Sequence, residues 1–357
     1  MPWDDLPLVL KIAHLAIFAS SLSVWFVVIR RLRRGQPILP FEPRRPVPWQ
    51  GVDLAFILLA FVLIPGLVLL AILGPSRAAH TAAKPAVPEL TQKAPADNAP
   101  AEEKGEAAEV SSEAFEAEAA GKLLFSAIAV GWVVFRVRAN FKDLGFDLSH
   151  IGSDLVLGLG TFLATVLPVT LIQDSLEDTK IRPYDHPLIR AIKNHPNLWM
   201  FAVVGVSAVI VAPLVEELLF RVLIQGCLEM VETKRRLLLN AARSMAAAVS
   251  RRAAADSTIS AGANEDSQLP QEDNRDAAAE LAAATGPSAW PIIVSSALFA
   301  LMHWGQGLAP IPLFPFALIL GYVYQRTHRI WPSLIAHLLL NGTSLVTLWQ
   351  MTVNQPK

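Results

Sequence analysis

Long apolar runs, repeated along the chain and separated by polar segments, constrain the fold of this sequence more than any other feature. Of its 357 residues, 53% are hydrophobic and only 17% are charged, whereas a soluble domain carries about 25% charged residues. Because a transmembrane helix needs about 20 mostly apolar residues, the sequence predicts an all-α, polytopic integral membrane protein of about eight transmembrane helices. The predicted spans are Leu6–Ile29, Val52–Gly74, Lys122–Phe135, Leu155–Gln173, Leu198–Ile224, Trp290–His303, Pro310–Tyr324 and Ile330–Trp349.

Basic residues indicate how these spans are oriented. Arginine and lysine clusters follow the first, third, fifth and seventh spans, so with eight spans all four clusters fall on the same side. The positive-inside rule makes that side cytoplasmic, which puts both termini on the other side. We therefore expect an integral membrane protein, in the plasma or inner membrane if the source is prokaryotic.

Composition divides the chain into four parts. Residues 1–74 hold two N-terminal transmembrane helices, and residues 75–120 form an Ala/Glu/Pro-rich linker that we predict to be disordered. Residues 121–231 and 287–350 form a C-terminal helical core. Residues 232–286 interrupt that core as a low-complexity cytoplasmic insertion, because they lack a sustained hydrophobic face.

Bulk properties exclude several classes of function. The net charge of −1 offers no basic field for nucleic acid. The single cysteine, Cys227, excludes an intramolecular disulfide and a cysteine-based zinc site. The expected partners are membrane lipid and a membrane-associated peptide or protein substrate.

Three ionisable residues lie inside the apolar fifth span: Glu216, Glu217 and Arg221. Charges within a membrane are costly, so they indicate a functional site. Glu217 and Arg221 are four residues apart and can pair along one helix face. Glu216 is rotated about 100° from Glu217, which suggests that the two carboxylates have different roles.

The later spans contain few other strongly polar residues. His303 ends the sixth span, four residues after Phe299, and His337 and Asn341 share one face of the eighth span. Counting about 1.5 Å per residue from the cytoplasmic span ends puts His337 roughly 10 Å, Asn341 roughly 16 Å and His303 roughly 18 Å deep. Glu216 falls between the midplane and the cytoplasmic face, so all of them can converge on one cavity. We therefore expect an active site within the C-terminal helix bundle, in a cavity toward the cytoplasm.

Such a set of side chains suits hydrolysis by an activated water. A buried glutamate can take a proton from water, and a neighbouring histidine can orient that water. A second histidine and an asparagine amide can donate to a developing oxyanion. The spacing neither demands nor excludes zinc on Glu216, His303 and His337, so metal dependence stays open.

Each feature also has a purely structural interpretation. The Glu217–Arg221 pair can be a clamp, His303 a core histidine bonded to a carbonyl, and His337 with Asn341 a source of interhelical hydrogen bonds. The co-occurrence of all these residues at compatible depth favours the catalytic interpretation.

Three ordered motifs, Glu-Glu-x-x-x-Arg, Phe-x-x-x-His and His-x-x-x-Asn, resemble those of the CPBP family of intramembrane proteases, which includes the type II CAAX prenyl endopeptidases and the older Abi family. The flanking Pro213, Trp331-Pro332 and Gly321–Tyr324 segments are also similar to this family. The resemblance covers about Gly145 to Trp349, apart from the insertion. Val222 departs from it, since the family usually has glycine there.

The resemblance implies a role for each motif residue. Glu216 would be the general base, assisted by His303, while His337 and Asn341 would form the oxyanion site. The supporting residues would be Glu217, Arg221 and Phe299. The family is described both as metalloproteases and as metal-free glutamate enzymes.

From the residues and the resemblance together, we predict an intramembrane endopeptidase. One alternative is a non-catalytic protein that binds a membrane peptide in immunity or scaffolding. A second alternative, a proton-coupled transporter, has less support, because the chain has no evident repeat symmetry.

Overall fold

The computed structural model describes residues 7–43, 47–83, 116–117, 119–177, 198–256, 286–304 and 306–353. These residues contain helices and connecting segments and no β-strand. The helices are α1 (Leu8–Arg33), α2 (Gly51–Ala83), α3 (Ala119–Arg136), α4 (Ile151–Glu177), α5 (198–256), α6 (Trp290–Met302), α7 (Pro310–Thr327) and α8 (Ile330–Val353).

Five stretches within the described residues are long and apolar enough to cross a membrane. They lie in α1 to α5, and α6 is a shorter apolar helix. This confirms the prediction of an all-helical integral membrane protein, whereas the number of eight spans stays a prediction. Most of the predicted linker and insertion, residues 84–115 and 257–285, lies outside the described residues, and α5 continues as a helix to residue 256.

Helix α4 packs against α1, α7 and α8. Its contact with α8 is close, since a Cβ added at Gly158 would lie 2.7 Å from the Cβ of Ile335. On the other side, Trp25 of α1 donates its indole N–H to the carbonyl of Ala164 at 3.0 Å. That carbonyl is four residues before Pro168, which has no N–H to donate to it. The tryptophan therefore satisfies an acceptor that the proline leaves free.

Helices α2 and α3 form a second close pair. The Trp132 ring stacks on Phe56 with centroids 3.9 Å apart, and its N–H donates to Asp53 at 3.0 Å. A Cβ added at Gly121 would lie 2.7 Å from the Cα of Pro65, so only glycine permits this approach. Just before α2, Trp49 is fully buried and donates to the carbonyl of Leu223 in α5 at 3.1 Å.

Helix α5 is wound irregularly around the motif Glu216-Glu217. Its turns widen to π-helix over Val206–Val211 and Glu217–Gln225, on either side of the α-helical segment Ala212–Glu216. Wide turns of this kind are rare and concentrate at functional sites. Carbonyls of the second wide segment accept hydrogen bonds from other helices, for example Phe220 from the Ser295 hydroxyl at 2.7 Å.

The first wide segment changes the expected effect of Pro213. In an ordinary α-helix, the proline would leave the carbonyl of residue 209 without a donor. Here the N–H of Ala212 bonds five residues back, to Ser207. In that register the next donor would be residue 213, so the carbonyl that the proline leaves free is that of Ala208.

The segment before α8 is held by one buried and one partly exposed ion pair. Arg329 contacts Asp154 of α4 at 2.8 Å and also pairs with Glu42. Burial alone would lower the pKa of Arg329, but these two acidic partners outweigh it and raise the pKa above its ordinary value. The N–H of Ile330 donates to the carbonyl of Gly145. These contacts fix the point at which α8 begins, and therefore the depth of the polar residues that it carries.

Candidate active site

Glu217 lies at the centre of the polar cluster between α5 and α8. Its side chain is fully buried, as is that of Arg221, and the two are 3.3 Å apart. The other carboxylate oxygen of Glu217 lies 2.9 Å from Nδ1 of His337. One carboxylate thus joins a cation on its own helix to an imidazole on α8.

Glu216 occupies a different environment, although it is the adjacent residue. Its side chain is 14% exposed, and its carboxylate lies 3.7 Å from Nε2 of His337. The imidazole therefore stands between the two glutamates. With Nδ1 donating to Glu217, Nε2 is directed to the side on which Glu216 lies.

Aromatic rings enclose the imidazole and the guanidinium. Phe316 meets the His337 ring edge-on at 5.0 Å, and Phe299 meets it at 6.0 Å. The guanidinium carbon of Arg221 lies 5.3 Å from the centroid of the Phe299 ring. A cation over an aromatic face is stabilised by the ring quadrupole, by up to about 2 kcal/mol where water is excluded. Phe299 is therefore more than a packing residue, because it contacts both Arg221 and His337, the two neighbours of Glu217.

His303 follows the last residue of α6 and lies beside the same phenylalanine. Its Nδ1 is 2.9 Å from the carbonyl of Phe299, and the two rings are 5.1 Å apart. A carbonyl accepts, so Nδ1 carries the hydrogen and Nε2 is left with a lone pair. Among the described residues, no hydrogen bond or ion pair joins His303 to Glu216. The predicted assistance of Glu216 by His303 therefore stays a prediction.

Asn341 lies one turn after His337 and contacts α5. Its Nδ2 donates to the carbonyl of Ala208 at 2.9 Å, which is the acceptor that Pro213 leaves free. The interhelical hydrogen bond expected from the structural interpretation is thus present. The second hydrogen on Nδ2 remains for another acceptor.

The residues suggested for zinc do not fit such a site in this arrangement. Within the described part of the chain, no three His, Cys, Asp or Glu side chains are grouped to hold a metal ion. Both ring nitrogens of His337 face glutamates, and Nδ1 of His303 is held by a backbone carbonyl. We therefore assign no step of a reaction to a metal.

Sequence reasoning missed three residues of the site. Phe316 contacts His337, and nothing in its sequence context distinguishes it from other residues of an apolar helix. Ser333 is fully buried one turn before His337; its spacing of four from His337 was a usable signal. Ser295 had no evident role in the sequence, and the structure shows it bonded to a carbonyl of the second wide segment of α5.

The helices that meet at this cluster also carry a recognisable family pattern. Residues 198–343 match the family described as Type II CAAX prenyl endopeptidase Rce1-like. This segment is therefore similar to that family. The match contains all seven predicted site residues and confirms the resemblance suggested by the three motifs, while α1 to α4 lie outside it. Searches of curated proteins and of solved structures gave no significant match.

Proposed function

We propose that this protein is an intramembrane endopeptidase that hydrolyses peptide bonds with a water activated by Glu216. The observation that carries the proposal is the asymmetry of the two adjacent glutamates. Glu217 is fully buried and engaged by Arg221 and His337, whereas Glu216 is partly exposed and has no partner closer than 3.7 Å among the described residues. A general base needs an oxygen that can approach a water, and only Glu216 meets this condition.

The proposed reaction begins when Glu216 removes a proton from a water molecule, whose oxygen attacks the carbonyl carbon of the scissile peptide. His303 orients the same water through its Nε2 lone pair. The carbonyl oxygen becomes an oxyanion, which accepts hydrogen bonds from Nε2–H of His337, whose ring carries a hydrogen on both nitrogens in this step, and from the second hydrogen of Asn341 Nδ2. The C–N bond then breaks, and the leaving nitrogen takes the proton held by Glu216.

Glu217, Arg221 and Phe299 support this reaction without touching the substrate. The bond from His337 Nδ1 to Glu217 fixes the orientation of the ring. Arg221 holds Glu217 ionised, and Phe299 lies against the guanidinium. The three residues together keep Nε2 of His337 directed to the side of Glu216.

The family description favours a substrate that ends in a prenylated CAAX motif, and we propose that cleavage takes place on the cytoplasmic side of the membrane. The arginine-rich segments after the predicted odd-numbered spans support that orientation. If the source is prokaryotic, we propose membrane peptides or bacteriocin-type precursors instead.

The test is cleavage of quenched fluorescent peptides, prenylated and unprenylated, by the purified full chain in nanodiscs. We expect Glu216→Gln and His337→Ala to reduce kcat by at least 100-fold, and His303→Ala to reduce it less. His150→Ala is the matched control, because His150 is exposed on a loop. Turnover that is equal in wild type, Glu216→Gln and His337→Ala would overturn the proposal and favour a peptide-binding protein.

A further inference from the structure

A cavity of about 610 Å³ lies beside α7. Its walls come from α1, α4 and α7 and from the segment between α1 and α2, and no candidate site residue lines it. Most of the wall is aliphatic, with residues such as Val24, Leu157 and Leu318. Helix α1 forms one whole side and lies outside the family match, so the cavity is a feature of this chain's N-terminal part.

One end of the cavity carries Arg31 and is bordered by the segment 34–39 after α1, which we call the strap. Arg31 lines the cavity and donates to the carbonyls of Pro37 and Ile38. The N–H of Leu39 donates to the Tyr322 hydroxyl at 3.3 Å. The last residues of α1 add further positive charge at this end, with Arg30, Arg33 and Arg34.

We propose that this cavity binds one acyl chain of an anionic phospholipid, whose phosphate lies at the arginine-rich end of α1. Aliphatic walls match a hydrocarbon chain, and a chain that enters from the bilayer leaves its headgroup at the membrane surface. Four arginines at that surface match a phosphate, and basic pockets between transmembrane helices are known to bind anionic headgroups. A zwitterionic lipid offers the same chain but no net negative charge.

The bound lipid would fill the space between α1 and α7 and support α7 from the cavity side. Helix α7 has Leu318, Ile319 and Tyr322 on the cavity side and Phe316 against His337. Occupancy of the cavity therefore stabilises the α7 position from which Phe316 contacts the imidazole. The lipid site does not depend on the proposed catalytic activity.

Two glycines of α4 provide a matched pair of variants. Gly160 lines the cavity, and an added Cβ there meets nothing within 4 Å. Gly152 has the same free space but does not line the cavity. Gly160→Leu directs a side chain into the cavity from a Cβ that meets no other atom within 4 Å, and Gly152→Leu makes the same chemical change elsewhere on the helix. Both substitutions favour the helix, because glycine is a poor helix former.

The experiment is native mass spectrometry of the full chain in detergent, with phosphatidylglycerol and phosphatidylcholine of identical acyl chains added in competition. We expect wild type and Gly152→Leu to retain phosphatidylglycerol at least 10-fold better than phosphatidylcholine, and Gly160→Leu to lose this binding at least 10-fold. Arg31→Gln should lose the preference between the two lipids.

Three results would overturn the proposal. The first is equal retention of both lipids by wild type, and the second is unchanged phosphatidylglycerol binding by Gly160→Leu. The third is displacement of phosphatidylglycerol by an equimolar prenyl alcohol, which would indicate that the cavity holds an isoprenoid instead. Thermal stability of each variant in the same detergent shows whether the protein has folded.

Discussion

Replacing Glu217 by glutamine tests whether the buried ion pair holds the site together. Glutamine has almost the same shape and keeps an oxygen that can accept from His337 Nδ1. What is lost is the negative charge beside Arg221, whose side chain has no exposed surface. Neither terminal nitrogen of that guanidinium has a hydrogen-bond partner among the described residues. The substitution therefore leaves a cation buried without its closest counter-charge.

Breaking a buried pair from one side costs about 3–5 kcal/mol, which corresponds to roughly two to three and a half orders of magnitude in the folding equilibrium. Removing the cation as well should recover much of this loss, since a neutral pair of similar volume is often tolerated in place of a buried ion pair. We expect Glu217→Gln with Arg221→Met to be at least about 2 kcal/mol more stable than Glu217→Gln alone.

The assay is unfolding in mixed micelles with increasing sodium dodecyl sulfate, followed by tryptophan fluorescence. Glu216→Gln is the control, because it removes the adjacent carboxylate from a partly exposed position with a single contact at 3.7 Å. We expect that control to lose no more than about 1 kcal/mol. If the double variant is no more stable than Glu217→Gln, the unpaired charge of Arg221 is not the cause, and the reasoning fails.

Three further predictions concern packing, the backbone and the metal. Gly158→Ala should destabilise the protein by about 1–3 kcal/mol through the contact with α8, whereas Gly152→Ala should be neutral or stabilising; equal unfolding midpoints would contradict this. Asn341→Ala should be less damaging to stability in a Pro213→Ala background, because residue 213 then supplies an N–H to Ala208; additive losses in the unfolding titration would contradict it. Proteolysis should survive prolonged chelation, and loss of activity that zinc alone restores would indicate a metalloenzyme.

The sequence was sufficient for the all-helical class of fold and for one contact within the polar cluster. Helical periodicity alone paired Glu217 with Arg221, and the structure contains that pair at 3.3 Å. It also predicted that the two glutamates point in different directions, since adjacent residues on a helix point about 100° apart, and their exposure and contacts differ in the structure. These inferences succeed because they depend on positions within one helix, which the sequence determines directly.

Contacts between helices could not be obtained in the same way. The proximity of His337 to both glutamates depends on the depth and rotation of α8 relative to α5. That placement is determined by distant contacts, such as the close approach at Gly158 and the ion pairs of Arg329. The lipid cavity was equally invisible in the sequence, because its walls come from three helices and the strap.

The wide turns of α5 connect a local effect, the carbonyl that Pro213 leaves free, to a contact between α5 and α8. A proline in a regular helix would free the carbonyl of residue 209, but the π-helical register moves the free acceptor to Ala208. Asn341 satisfies that acceptor from α8, and the same helix carries His337 one turn earlier. The hydrogen bond to Ala208 therefore acts together with the contacts of Gly158 and Arg329 to hold α8 against α5, with the imidazole between Glu216 and Glu217. Asn341 would then have two roles, to position α8 against α5 and to donate to the oxyanion. Positioning uses only one of its two amide hydrogens, so the other remains for the oxyanion.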